Sequence, residues 1–205
     1  MMDGIVDQVA LRAHFGVVSR LAETKALTRL DRHCRAFIAL SPFLVLASAD
    51  AEGRNVDASP RGDAPGFVLV LGDTTLLIPD RPGNRRVDSF QNVIAGGGVG
   101  IIFMVPGINE TVRVNGRARV VTDQALLARC EAQGKVPTTG LLVEIEEAFF
   151  HCAKALIRSR LWDPARQVER SSFPTLGAIV AEQTQVMSVE AADANIEEAY
   201  RSRLY

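Results

Sequence analysis

The chain has 205 residues, 47% of them hydrophobic, enough for one well-buried core with appended helices. A net charge of -1 and a pI near 6.3 exclude a generally basic nucleic-acid binder, so any cationic patch must be local. No uninterrupted apolar run approaches the roughly 18 residues that span a bilayer, and Ser41-Pro42 breaks the most apolar segment, 36–49. Neither nucleic acid nor membrane is therefore an expected partner. Asp3 and Asp7 stand where a signal peptide would carry basic residues, and Cys34, Cys130 and Cys152 are odd in number and widely spread. Both features fit a reducing cytoplasm, with the thiols free and buried.

In chain order, 7–32 reads as helix, with Val9, Leu11, Val17, Val18, Leu21, Leu27 and Leu30 as its apolar side. A second short helix reaches Leu40, where Ser41-Pro42 ends it. From Phe43 the texture changes to short runs between turn residues, the pattern of an antiparallel barrel or sandwich. Strands are predicted over 43–49 and 54–59, then 67–71 and 74–79 around a two-residue turn at Gly72-Asp73. A helix over 87–94 should bury Val87, Phe90, Val93 and Ile94. Strands at 99–105 and 110–121 follow, joined by Pro106-Gly107-Ile108-Asn109. A helix is expected over 123–132, a seventh strand over 141–147 and a helix over 152–161. Ser172-Phe173-Pro174 opens another helix, and 189–203 is amphipathic. The prediction is one domain over 1–205: helices over 1–40, a barrel over 43–149 and helices over 152–205.

Four constellations bear chemistry. Asp80-Arg81-Pro82-Gly83-Asn84-Arg85-Arg86 lies between a strand and a helix, where free backbone N–H groups, the helix dipole and arginine forks favour a phosphate. Asp57-Ala58-Ser59-Pro60-Arg61-Gly62-Asp63 offers short polar groups and a cation to the edge of a planar ring; taken locally, it is also a loop held by an Arg61–Asp63 ion pair. Arg113 and Asn115 share a strand face with Arg117 and Arg119, either solvated or against a partner subunit. Lys154, Arg158 and Trp162 form one helical stripe, suited to an anion on an aromatic system or to a snorkelling basic face. His33-Cys34 and His151-Cys152 are adjacent pairs whose side chains diverge, so no metal site is expected. Two phosphate-bound arginines contribute roughly 3–6 kcal/mol, against about 8 for micromolar retention. A buried ring must supply the rest.

Together these motifs resemble the FMN-binding split barrels related to pyridoxamine 5'-phosphate oxidase. They are Ser59-Pro60-Arg61-Gly62, Asp80 to Arg85 before a helix, and Arg113-Val114-Asn115-Gly116. The segments Cys152 to Ser159, Leu161-Trp162, Phe173 to Gly177 and Tyr200 to Tyr205 resemble a bacterial subgroup labelled probable FMN-dependent enzymes. The resemblance implies a mainly β fold with flanking helices: an antiparallel six- to seven-stranded split β-barrel, homodimeric, with two FMN sites at the subunit interface. It implies that Arg81, Asn84 and Arg85 hold the FMN phosphate, and that Asp57, Ala58, Ser59, Arg61, Pro79 and Asp80 line ring and ribityl chain. Arg113 and Asn115 would reach across the dimer, with Lys154, Arg158 and Trp162 completing the site. The oxidase's C-terminal tryptophan-to-arginine signature is not present as such.

The expected activity is that of an FMN-dependent oxidoreductase acting on an unidentified small molecule, with the flavin carrying the electron chemistry. No essential acid or base of the protein is assigned. The alternative is a non-catalytic flavin or haem carrier or sensor on the same barrel. A nucleic-acid barrel using the Arg113 to Arg119 face lacks interleaved aromatics for base stacking.

Overall fold

Apolar residues spaced by two dominate from Phe43 onward, and there the chain turns from helix to sheet. The computed structural model describes residues 4–205. Helices α1 (Gln8–Phe15), α2 (Arg20–Thr24) and α3 (Arg32–Leu40) come first. Strands β1 (Phe43–Ala49), β2 (Val56–Gly62), β3 (Leu69–Val70) and β4 (Thr75–Pro79) follow, then helix α4 (Asp88–Ile94). Next are β5 (Gly98–Met104), β6 (Thr111–Val121), the short α5 (Gln124–Leu127) and β7 (Gly140–His151). Helices α6 (Lys154–Ser159), α7 (Leu176–Thr184) and α8 (Val189–Ser202) complete the order.

The strands form one seven-stranded antiparallel sheet in the order β2-β1-β5-β6-β7-β4-β3. Alternation decides which face is buried. Leu44 and Leu46 of β1, Ile101 and Phe103 of β5, Val112 and Val114 of β6 and Val143 of β7 meet in one core. Helix α3 adds Cys34, Phe37 and Ile38, at i, i+3 and i+4, and α4 adds Phe90 and Val93. Full burial of one such aliphatic or phenyl group stabilises by about 1.5–3 kcal/mol. Strand β4 is buried on both faces: Leu76 and Ile78 join the main core, while Leu77 joins Val121, Cys130 and Leu142 in a smaller one. The register of β6 against β7 shifts at Asn115/Gly116. A Cβ at Gly116 would lie 2.0 Å from the Glu144 carbonyl oxygen, so the bulge demands glycine there.

Four strands separate β2 from β4 in that order, yet their ends meet. Arg61 Nη1 is 2.7 Å from Asp80 Oδ1, and Arg81 Nε is 2.7 Å from Asp63 Oδ2. The sheet therefore curls into a split barrel, and at this seam side chains instead of backbone ladders hold the two ends together. The other face of β2, β1, β5 and β6 points outward. It carries Phe43 and Ile102, 37% and 40% exposed, with Val45, Ala47 and Pro60 in neighbouring positions.

Several predicted elements change. The helix expected over 7–32 is two short helices and an extended stretch. Gly16 ends α1 at a left-handed φ of 73°, and Leu27 exchanges backbone hydrogen bonds with Ala148 of β7. Leu30 is thereby buried, whereas no residue of α1 or α2 is. Strand β2 continues past Ser59 because an edge strand tolerates Pro60. The β3–β4 connection has a three-residue tip, residues 72–74, closed by Leu71 N donating to the Thr75 carbonyl at 3.0 Å, and Gly72 takes no left-handed φ. Asp73 in that tip accepts from Leu30 N and pairs with Arg35, which fixes the hairpin to the N-terminal segment. Of the four apolar residues assigned to α4, Val87 and Ile94 are exposed. Pro174 lies ahead of α7, whose cap is Thr175 accepting from Ala178 N. Cys152 is exposed; Cys34 and Cys130 are buried, and burial together with the Asp31 hydrogen bond pushes the Cys34 thiol up to about 11.

Candidate functional site

Residues two apart on a strand share a face, so Asp57, Ser59 and Arg61 of β2 stand on the same side as buried Leu46 and Leu44 of β1. There they form one hydrogen-bonded chain. Ser89 Oγ, on α4, donates to Asp57 Oδ2 at 2.6 Å and lies 3.2 Å from Ser59 Oγ. Arg61 Nε donates to Ser59 Oγ at 3.3 Å, while its Nη1 reaches Asp80. The Arg61 guanidinium lies over the Phe90 ring, 5.8 Å from its centroid. The chain ties β2 to α4 and to the end of β4. Pro79 closes β4 and is buried; Asp80 N donates to the Thr139 carbonyl at 3.0 Å.

The local Arg61–Asp63 pair is not formed. Each residue instead crosses the seam, Arg61 to Asp80 and Asp63 to Arg81. Arg81 Nη2 also donates to the Cys130 carbonyl at 2.9 Å. Burial disfavours ionised Asp63, but hydrogen bonds from Tyr205, Ala64 N and Arg81 outweigh it and hold the carboxyl below the usual range.

The loop beyond Arg81 is exposed. Arg86 pairs with Asp88 at 2.8 Å, and Asn84 Oδ1 accepts from Arg86 N at 3.1 Å. Two of the loop's arginines are thus engaged by carboxylates. Arg85 is the one without a hydrogen-bond or ion-pair partner among the described residues. The backbone N–H groups of Gly83, Asn84 and Arg85 donate to no protein acceptor among those residues. Arg85 and Val87 take left-handed φ values of 61° and 55°, conformations that cost about 1–3 kcal/mol each. A cavity of about 510 Å³ adjoins this loop, lined by Asn55, Asp57, Arg86, Asp88, Gln91 and Asn92.

The other predicted residues lie elsewhere. Ala58, Arg113 and Asn115 are on the outward face: Ala58 is opposite Ala47, Arg113 opposite Ile102 and Asn115 opposite Gly100. Asn115 Nδ2 donates to Glu147 Oε2 at 2.7 Å. Arg113 lies over the Phe149 ring at 5.0 Å, with Lys25 over the same ring at 5.4 Å. His151 is close by, and burial, then Arg113 and Lys25, hold its imidazole below the usual value. Lys154 and Arg158 are exposed on α6, and Trp162 Nε1 donates to the Ile108 carbonyl at 2.9 Å. Hydrogen bonds and ion pairs therefore join Asp57, Ser59, Arg61 and Asp80, with Arg81 beside them on Asp63; Asn84 and Arg85 follow on the exposed loop without a contact to these side chains, and neither other group is joined to them among the described residues.

Sequence reasoning missed Ser89, Tyr205 and Glu147. Ser89 follows Asp88 at an unremarkable helix start, and Tyr205 is far from Asp63 in the chain. Glu147 carried no signal either: it falls on the parity of buried Val143 and Ile145, and the bulge at Asn115/Gly116 brings it opposite Asn115.

The fold can be compared with known proteins. A family model described as Pyridoxamine 5'-phosphate oxidase matches residues 30–152. Among curated proteins nothing matches. Of solved structures, HupZ of Group A Streptococcus is 17% identical with a TM-score of 0.48, over 59% of this chain and 93% of that one. An FMN-binding protein from Syntrophomonas wolfei is 15% identical with a TM-score of 0.44, over 58% of this chain and 83% of that one. An FAD-binding protein from Mycobacterium smegmatis is 19% identical with a TM-score of 0.41, over 61% and 97%. Because the family match spans more than half of the sequence and coincides with the barrel and its seam, the chain belongs to the pyridoxamine 5'-phosphate oxidase family.

Proposed function

We propose that this protein is an FMN-dependent oxidoreductase of the pyridoxamine 5'-phosphate oxidase type, acting on a small molecule as a homodimer in a reducing cytoplasm. The observation that carries the reading is Arg85, a guanidinium unpaired among the described residues, on the loop where the backbone N–H groups of Gly83, Asn84 and Arg85 are free; that loop leaves the seam formed by Ser59, Arg61 and Asp80. Arg85, Asn84 and those N–H groups fit a phosphate. Arg81 belongs to the same grip, holding the loop through Asp63 while its own charge is engaged. FMN, when bound, supplies hydride and electron transfer. Ser59, Asp57 and Arg61 orient the ring and ribityl chain between Pro79, Asp80 and α4, and Phe90 keeps water from one side of Arg61.

With one unpaired arginine, the ion pairs give about 1.5–3 kcal/mol. Reaching about 8 for micromolar retention takes burial of roughly 200–250 Å² of apolar ring surface. A second copy fits that need. Phe43 and Ile102 on the outward face are larger and more exposed than a solvated sheet interior requires, and they adjoin Arg113, Asn115 and Ala58. In such a dimer Arg113 and Asn115, with Lys154, Arg158 and Trp162, would complete the partner's site, as the family resemblance implies. Purified protein should be yellow, with flavin absorption bands that bleach when an anaerobic sample receives NAD(P)H or a reducing substrate. Protein that stays colourless after added FMN would end the reading.

One observation favours a carrier instead. Every seam carboxylate already has a partner: Asp57 with Ser89, Asp63 with Arg81 and Asp80 with Arg61. None is left to move a proton. Flavin that binds but exchanges electrons with no donor or acceptor would select this alternative.

A further inference from the structure

Helices α7 and α8 form a hairpin whose connection to the barrel is narrow. Among the described residues, the hydrogen bonds linking 173–205 to the barrel and its loops are the two made by Tyr205. Its hydroxyl donates to Asp63 Oδ1 at 2.6 Å, and its main-chain oxygen accepts from Lys135 Nζ at 2.6 Å. Its ring lies under the Arg81 guanidinium, 5.5 Å from centroid to carbon. The hairpin itself is held internally, for example by Thr175 Oγ1 donating to Asp193 Oδ2 at 3.0 Å.

We propose that Tyr205 is a positioning residue for the 80–86 loop: it completes the Asp63–Arg81 pair, and through Arg81 it sets where Arg85 stands. The ligand in this inference rests on the flavin reading above; the geometry does not. The Asp63 side chain is 3% exposed and that of Arg81 16%. Asp63 Oδ2 accepts from Arg81, and Oδ1 accepts from both Ala64 N at 2.7 Å and the Tyr205 hydroxyl, so Tyr205 is the donor that ties the buried pair to the C-terminal arm and not to its own loop. Past Arg81 the backbone enters two left-handed residues, Arg85 and Val87. Strained backbone persists only where its surroundings over-determine it. Arg81 fixes one end of that segment, and the Arg86–Asp88 pair with α4 fixes the other. Loosening Arg81 lets the loop relax and moves Arg85 away from the place a phosphate would occupy. An arm built of α7 and α8 thus tunes the cofactor loop by one side chain.

The test uses the full chain with Tyr205→Ala, Tyr205→Phe and, as a contrast, Arg85→Ala. Amide hydrogen exchange is followed over 80–88 and over β5 and β6, and FMN dissociation is measured alongside. Tyr205→Ala should speed exchange of the hydrogen-bonded amides of Asp80 and Arg86 in that segment about tenfold, leave β5 and β6 unchanged, and weaken FMN about tenfold. Tyr205→Phe keeps the ring over Arg81 and should fall between it and the wild type. Arg85→Ala should weaken FMN without altering exchange, which separates holding the ligand from holding the loop. Unchanged exchange over 80–88 in Tyr205→Ala, or acceleration spread equally into β5 and β6, overturns the proposal. Should the wild type bind no FMN, the flavin reading falls, and the exchange pattern still decides the role of Tyr205.

Discussion

The seam and the outward face of the same sheet carry similar residue types in different states. At the seam, Arg61 and Arg81 each have a carboxylate at 2.7 Å, and their charges serve to close the barrel. On the outward face Arg113 stacks on Phe149 without a carboxylate partner among the described residues, beside exposed Phe43 and Ile102. An arginine beside a carboxylate has its charge engaged within the chain; an unpaired one has its donors free. The loop at the seam contains both kinds, with Arg81 engaged and Arg85 free.

Altering the outward face should have the largest effect. The proposed homodimer predicts that light scattering finds the wild type dimeric and Ile102→Glu, which places a charge on that face, monomeric at the same concentration. A dimer of unchanged stability would remove this face from the account. Next comes the unpaired arginine: Arg85→Ala should weaken FMN about 10- to 150-fold, the equivalent of roughly 1.5–3 kcal/mol, in a calorimetric titration. Acid should act on the seam more gently. Asp63 has a depressed folded value, so its stabilising contribution is complete above the ordinary carboxylate pKa of about 3.9 and fades as pH falls through the folded value. Asp63→Asn should be less stable near neutrality and lose this acid-dependent component, seen in urea melts from pH 6 to about pH 2. The smallest change belongs to Arg86→Ala. Its pair with Asp88 is 74% and 39% exposed, so stability should shift by no more than about 1 kcal/mol.

How far the sequence disclosed this molecule follows from the range of each signal. Short apolar runs between turn residues, and the alternation of 110–121, revealed the strands, because both patterns are written in neighbouring residues. The position of the 80–86 loop was legible for the same reason: Asp80 to Arg86 is continuous, and the strand and helix around it have their own periodicities. Pairings across the seam were not legible. Arg61 has Asp63 two residues away, and nothing local shows that barrel closure brings Asp80 closer. The helix over 7–32 misled because Leu27 and Leu30 fit a helical stripe equally well; docking on Ala148 and Asp73 decides otherwise, a tertiary effect that overrides propensity. Tyr205 reaches Asp63 across 142 positions of chain. No window on the sequence holds both.

The central claim is that a phosphate group is gripped beside Arg85 at the barrel's seam. It is tested most directly by titrating apo-protein calorimetrically with FMN and with riboflavin, which share the ring and differ in the phosphate. The account predicts one FMN per chain at micromolar affinity or better, and riboflavin at least about tenfold weaker. Equal affinities for the two, or no binding of either, would contradict it.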